Sequence, residues 1–282
     1  ERGVVLMAAV LVVLLLSLTG LGLALTAAME PATCRNVESA AAARLGFFIT
    51  ADISPRTFSL LGASQEYLAP IRALRLDAIR LDFGFSPREI ARWTRESGFY
   101  IELNASTIDA HTLDAIIAAG ADTNRVQACH NYYPRPETGI SWEIFSERSR
   151  MLRERDIEVA AFIPALKNAR GPLYAGLPTL ERHRRLESVA AAKELAYSGM
   201  VDAIVFGDPL AEEGELRAVG AIQPDCVELR VKVHQAISEA EREILFAEHK
   251  NRTDPGEWVV RSETARSIKT DVIKSRAAQP RP

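Results

Sequence analysis

Cysteine is scarce in this chain: three residues in 282, at spacings that match neither a disulfide framework nor a zinc-ligand pattern. Cys129 and Cys226 lie in apolar surroundings and read as small core residues. An excess of positive charge is also missing. Lys+Arg 34 against Asp+Glu 37, a net charge of −3, offers no basic face of the kind that nucleic-acid phosphates require. No Gly-x-Gly-x-x-Gly follows any apolar run, which argues against a dinucleotide site, and no cofactor is expected. His111, His183, His234 and His249 are scattered over expected helices and loops, so no metal constellation is read either. With 48% hydrophobic and 25% charged residues, the composition is globular. It excludes a wholly disordered, a collagen-like and a polytopic membrane chain. The length allows one large domain or two ordinary ones.

Charge is absent again from Gly3 to Met29, where most positions are Val, Leu or Ala. About 20 apolar residues suffice to cross a bilayer. Residues 1–30 therefore read as an apolar membrane-type helix, with residues 3–29 as the membrane contact and 31–44 as a linker. A cleaved signal peptide is the competing reading, with Thr26-Ala27-Ala28 as its small-residue site. The segment Glu1-Arg2-Gly3-Val4-Val5-Leu6, its Leu run and the following Glu30-Pro31 resemble the N-terminal helix of PilX-like type IV pilus assembly proteins.

A regular alternation follows from Leu45 to Asp208. Short apolar, β-branched runs end in polar residues: Phe47–Asp52, Ala78–Asp82, Tyr100–Asn104, Val126–Asn131, Val159–Ile163 and Ala203–Asp208. Between them lie helical patterns. One starts at Pro87 after the N-cap residue Ser86, and one runs from Thr107 to Ala119 before Gly120. Others span Ile144 to Arg155 and Leu186 to Ser198. Strand and helix alternating in this way predict parallel βαβ units with right-handed connections. The fold class is α/β.

Strand parity carries the chemical signal. Side chains alternate across a strand, so Arg80 and Asp82 share one face of their run. Tyr100, Glu102 and Asn104 share a face of the next, and Thr50 and Asp52 share a face of the first. Charge on one face of three successive strands costs several kcal/mol in desolvation unless the groups pair or meet solvent. One solution is a barrel whose polar groups gather at the carboxyl ends of the strands, where barrel active sites sit. The other is an internal ion-pair set, such as Arg80 with Glu102.

Several motifs together resemble the MupG family, also known as DUF871 or outer surface proteins of cellobiose operons. They are Leu81-Asp82-Phe83-Gly84-Phe85-Ser86-Pro87, Ile101-Glu102-Leu103-Asn104-Ala105-Ser106-Thr107 and Ala128-Cys129-His130-Asn131-Tyr132-Tyr133-Pro134-Arg135-Pro136, with Arg170-Gly171-Pro172-Leu173-Tyr174 and Gly176-Leu177-Pro178-Thr179-Leu180-Glu181. The resemblance covers roughly Ala43 to Ser267. It implies a parallel TIM-type (β/α) barrel followed by a small cyclophilin-like domain. It also implies a glycoside hydrolase, a bacterial cytoplasmic 6-phospho-N-acetylmuramidase. Such an enzyme cleaves N-acetylmuramic acid 6-phosphate-N-acetylglucosamine, a phosphorylated amino-sugar disaccharide, in cell-wall recycling. The run at Phe47 is similar to the family's third strand, so an incomplete barrel of six of eight strands is expected over 45–248. Residues 249–282 are expected to be the truncated start of the cyclophilin-like domain and a frayed tail.

Asp82 and Glu102 end neighbouring strands about 4.8 Å apart. Their carboxyls are expected about 5 Å apart, the spacing of a retaining glycosidase, with the roles of acid and nucleophile unassigned. Asp208 is a third catalytic candidate, or else caps the Pro209 turn. Lys167, Arg170 and Gly171 are expected to cradle the sugar phosphate, with Arg135 as an alternative anion binder. His130 is expected to touch substrate or a carboxylate, or to be a satisfied core histidine. Asp52, Asn104, Asn131 and Tyr133 complete the expected substrate contacts. Two other readings compete: a membrane-tethered sugar-phosphate-binding protein without turnover, and a pilus-associated structural protein. Location follows the same division, cytoplasmic by family resemblance or membrane-anchored through the apolar segment.

Overall fold

A computed structural model of the chain describes residues 48–273, apart from 65, 75, 209–210, 229–231, 255, 257–258 and 269–272. The apolar helix expected over 1–30 and the linker over 31–44 lie outside the described residues. Among the described residues, no helix is long and apolar enough to cross a membrane.

Six parallel strands follow one another in sequence order: β1 (Thr50–Ile53), β2 (Ala78–Leu81), β3 (Tyr100–Asn104), β4 (Val126–Cys129), β5 (Glu158–Ile163) and β6 (Ala203–Phe206). Each pairs with the next in parallel, which forces a crossover after every strand. The sheet curls into a half-barrel, an incomplete TIM-like α/β barrel.

The crossovers carry α1 (Pro55–Leu60) and α2 (Ala69–Arg72), then α3 (Pro87–Glu96), α4 (Ala110–Ala118), α5 (Trp142–Arg153) and α6 (Ser188–Ser198), with α7 (Glu213–Gly220) after β6. Helix α3 begins where the sequence predicts. Ser86 Oγ accepts from the Glu89 amide at 3.3 Å, and Glu89 Oε2 accepts from the Ser86 amide at 2.6 Å, a reciprocal cap with Pro87 in the first turn. Helix α4 starts later than Thr107 because Asp109 caps it, its carboxylate accepting from the Thr112 amide at 2.7 Å.

Parity divides the sheet into two faces. Ile79, Leu81, Ile101, Leu103, Ala128, Val159, Ala161 and Ile163 are buried against helix residues such as Trp93, Leu113, Phe145, Leu152 and Leu195. The opposite face is the concave wall. Asp52, Arg80, Glu102, Gln127 and Glu158 stand side by side along it in register. Towards β5 and β6 the same wall turns apolar, with Cys129, Phe162 and Val205 packed together and flanked by Tyr132 and Ala160. Cys129 is buried as expected; Cys226 is exposed, because it sits in the loop beyond α7 rather than on a packed element.

The chain divides into two compact units between Val227 and Glu228. Within the second unit, helix α8 (Glu239–Phe246) is capped by Ser238 and Glu241. Asn251 and Ser262 form an antiparallel bridge, and Asp254 binds both Arg252 and Arg261.

Candidate active site

The concave wall is organised by one cation. Arg80 projects from β2 and is almost fully buried. Its Nε lies 3.2 Å from Asp82 Oδ1 and 3.5 Å from Asp52 Oδ1, and its Nη1 lies 3.2 Å from Glu102 Oε1. Nη1 also donates to the Cys129 carbonyl at 2.9 Å, and Nη2 donates to Asn131 Oδ1 at 2.8 Å. One guanidinium thus joins β1, β2, β3 and β4. Burial works against its charge, yet Cys129, Glu102, Asp52 and Asp82 around it hold its pKa above the ordinary arginine value. The internal ion pair of Arg80 with Glu102 is therefore formed, and the same side chain draws Asp52 and Asp82 into one cluster.

The three carboxylates differ in environment. Both oxygens of Glu102 are engaged, Oε1 by Arg80 and Oε2 by Gln127 Nε2 at 2.7 Å, and the residue is buried. Asp82 Oδ1 accepts from Arg80 and from Asn104 Nδ2 at 3.0 Å, and its side chain is 41% exposed. Asp52 is 17% exposed and touches the guanidinium at the longest distance of the three. Burial pushes its carboxyl up to about 7; Arg80 pulls it down, while Asp82 and Glu102 push it further up. Asn104 Nδ2 also donates to Asn131 Oδ1 at 3.0 Å, tying the ends of β3 and β4 together. A cleft of about 170 Å³ opens between the ends of β2 and β3 and the helices α3 and α4, lined by Asp82, Phe83, Asn104, Ile90, Leu103 and Ile116; Asp52, Arg80 and Glu102 do not line it.

His130 takes the core reading. It has no exposed surface, its Nδ1 meets Ser106 Oγ at 3.1 Å and its Nε2 meets Ser149 Oγ at 3.0 Å. Burial first, then Arg80 and Arg148, lowers its pKa to about 3, so the ring is neutral. Direct contact with substrate is thereby corrected: both nitrogens are occupied below the surface. The His130 partner Ser106 also accepts from the Asn131 amide at 2.9 Å and so fixes the start of the loop after β4.

The long loop after β5 is held from inside. Asp208, 2% exposed, accepts from three backbone amides: Ala165 at 2.9 Å and Leu177 at 3.1 Å on Oδ2, and Arg170 at 2.8 Å on Oδ1. It ties three points of that loop, Ala165, Arg170 and Leu177, to the segment that follows β6. Gly207 and Gly176 permit this approach. A Cβ at Gly207 would lie 2.2 Å from the Leu177 carbonyl oxygen, and Gly176 has φ +72° with Pro164 where its Cβ would point.

Arg170 rises from the stapled loop, exposed, with Nη1 donating to the Tyr132 hydroxyl at 3.2 Å and its guanidinium 5.3 Å from that ring's centre. Tyr132 in turn stands edge-on to Phe162. Burial raises the Tyr132 phenol pKa against the pull of Arg170. Lys167 points outward and pairs with Glu212 at 2.8 Å, and Gly171 lies against the Tyr174 ring. Arg135 is exposed. Tyr133 is half-buried and contributes its backbone, its amide donating to Pro178 and its carbonyl accepting from Arg184.

A half-barrel with acidic side chains gathered at its carboxyl end matches two sequence families that divide the chain between them. The N-terminal family of 6-phospho-N-acetylmuramidase, MupG_N, matches residues 30–221, and its C-terminal counterpart MupG_C matches residues 227–282. The chain belongs to the MupG family. The family name describes a glycosidase that acts on a phosphorylated muramic acid. Among curated proteins no match is found. Two solved structures are similar to the chain. An uncharacterized B. cereus protein is 30% identical, with a TM-score of 0.69 over 82% of this chain and 67% of the other. A conserved Enterococcus faecalis protein of unknown function is 34% identical, with a TM-score of 0.63 over 83% and 65%. This MupG chain thus spans about two thirds of the length of these relatives.

Three residues of the MupG wall escape a reading of strand ends alone. Gln127 is legible by the same parity that picks out Glu102, its register partner. Ser106 and Tyr132 sit inside the quoted motifs, but only the folded loops bring them to His130 and Arg170.

Proposed function

We propose that the chain acts as a 6-phospho-N-acetylmuramidase, hydrolysing the glycosidic bond of N-acetylmuramic acid 6-phosphate-N-acetylglucosamine. The observation that carries this reading is the convergence of Asp52, Asp82 and Glu102 on Arg80 at the carboxyl ends of the strands, in a chain of this family. Glycosidases need two carboxyl groups beside the scissile bond, one to protonate the leaving oxygen and one to stabilise or capture the oxocarbenium-like carbon. Asp82 suits the second role. One of its oxygens is fixed by Arg80 and Asn104, and its side chain reaches solvent. Glu102, paired on both oxygens, holds Arg80 in place.

Arg170 is the cation offered to the 6-phosphate. Its guanidinium stands over Tyr132, next to the apolar part of the wall, and carries no carboxylate partner of its own among the described residues. Planar N–H pairs suit phosphate oxygens. The half-buried Asn131 is offered to the sugar hydroxyls between these two ends, held in place by Asn104 and Arg80. The reaction belongs, on this reading, to cytoplasmic cell-wall recycling.

The test is hydrolysis of the phosphorylated disaccharide against its dephosphorylated form, followed by product separation. The phosphorylated form should be cleaved and the other spared. Arg170→Ala should raise KM for the phosphorylated substrate about tenfold or more, the order of one charge-assisted contact. Equal cleavage of both forms, or an unchanged KM, contradicts the phosphate assignment.

A further inference from the structure

We propose that Asp52 on β1 is the general acid of this hydrolysis, handing its proton to the glycosidic oxygen while Asp82 faces the anomeric carbon; the inference rests on the glycosidase reading above. Charge balance inside the cluster is the first argument. Three carboxylates surround a single guanidinium, at 3.2, 3.2 and 3.5 Å. In a largely buried site three negative charges against one positive favour uptake of a proton.

The hydrogen bonds decide where it resides. Glu102 accepts on both oxygens, from Arg80 Nη1 and Gln127 Nε2. Asp82 accepts from Arg80 and Asn104 and is the most exposed of the three. Asp52 has the longest contact to Arg80, so its carboxyl is the least compensated. The titratable and charged groups around it are Arg80 on β2, Asp82 directly after that strand, Glu102 on β3, Cys129 on β4 and Tyr132 in the loop after β4. Together they leave Asp52 titrating at about 7, where an acid is half-loaded at neutral pH.

Geometry supplies the second argument. Asp52 and Asp82 approach the same Arg80 Nε from two strands, so their separation cannot exceed the sum of those two contacts. They can flank one glycosidic bond. The C1–O bond breaks as the Asp52 proton moves to the leaving oxygen, whose electron pair goes with the alcohol. Water then supplies hydroxyl to C1 and returns its other proton to Asp52.

The full chain and its Asp52→Asn variant are assayed on the natural disaccharide and on the 2,4-dinitrophenyl glycoside of N-acetylmuramic acid 6-phosphate. Asp52→Asn should lose about 10²- to 10⁴-fold on the disaccharide, but under about tenfold on the dinitrophenyl substrate, whose leaving group needs no proton. The alkaline fall of the wild-type pH profile should vanish in the variant. Equal losses on both substrates, or near-normal turnover of the disaccharide, overturn the assignment. Carbon-13 spectra of labelled aspartate carboxyls give a readout independent of turnover. One aspartate titrating near neutrality in the wild type should be missing from Asp52→Asn, and its absence from the wild type overturns the proposal. A wild type that shows this titration yet cleaves neither substrate refutes the glycosidase reading instead.

Discussion

Replacing Asp208 separates a structural staple from a catalytic acid. In Asp208→Ala, three amides lose their acceptor, and two of them, Ala165 and Leu177, belong to buried residues. A buried donor left without a partner costs about 1–3 kcal/mol, and the more exposed Arg170 amide recovers water. The expected loss is therefore about 3–5 kcal/mol, a large share of the stability of an ordinary domain. Asp208→Asn keeps one carbonyl oxygen and presents an NH₂ group to the donors it can no longer accept from, so it should fall between Ala and wild type. Urea unfolding followed by tryptophan fluorescence gives the order. Limited proteolysis across the loop after β5 should show earlier cleavage in both variants. If Asp208→Asn keeps the wild-type unfolding midpoint while turnover collapses, the residue is doing chemistry and the staple argument fails.

Two other perturbations test the cluster and the core. Arg80→Met leaves three carboxylates without their cation and should destabilise the fold by about 3–5 kcal/mol at pH 7, with partial recovery in acid as the carboxyls protonate; a midpoint insensitive to pH refutes the hub. His130 is neutral in the fold, with its pKa lowered to about 3 from the ordinary 6.5, so its contribution is intact above about pH 6.5 and fades as pH falls towards 3. Chemical denaturation between pH 7 and 4 should show a slope of up to about 1 kcal/mol per pH unit that His130→Gln removes.

The sheet was legible because its two faces obey period two. Parity placed Arg80, Asp82, Glu102 and Asn104 on one side, and the register of β2 and β3 sets them there. The strands end before the apolar runs do where side-chain chemistry takes the chain out of the ladder. The His130 amide still donates to the Ala160 carbonyl while its ring enters the core between two serines, and the Asn131 amide then turns to Ser106, so β4 stops short of the predicted Asn131. The staple made by Asp208 joins residues 31 to 43 positions apart, and no local pattern encodes such a pairing. Helices α7 and α8 lack a clean apolar period and rest on capping pairs, Glu212 with Glu215 and Ser238 with Glu241. The environment of Asp52 depends on three strands at once, so its altered acidity has no signature along β1 alone.

The concave wall carries acid and amide groups on β1 to β4, but towards β5 and β6 it is closed by the buried Phe162 and Val205 with the half-buried Tyr132 ring over them. A ligand lying across it meets unlike neighbours at its two ends. An asymmetric disaccharide laid in backwards would press a hydroxylated ring on hydrocarbon and hold its anionic end against carboxylates. On the proposed reading, the two chemistries of the wall favour one direction of binding, with the phosphate towards Arg170 and the scissile bond towards Asp52 and Asp82.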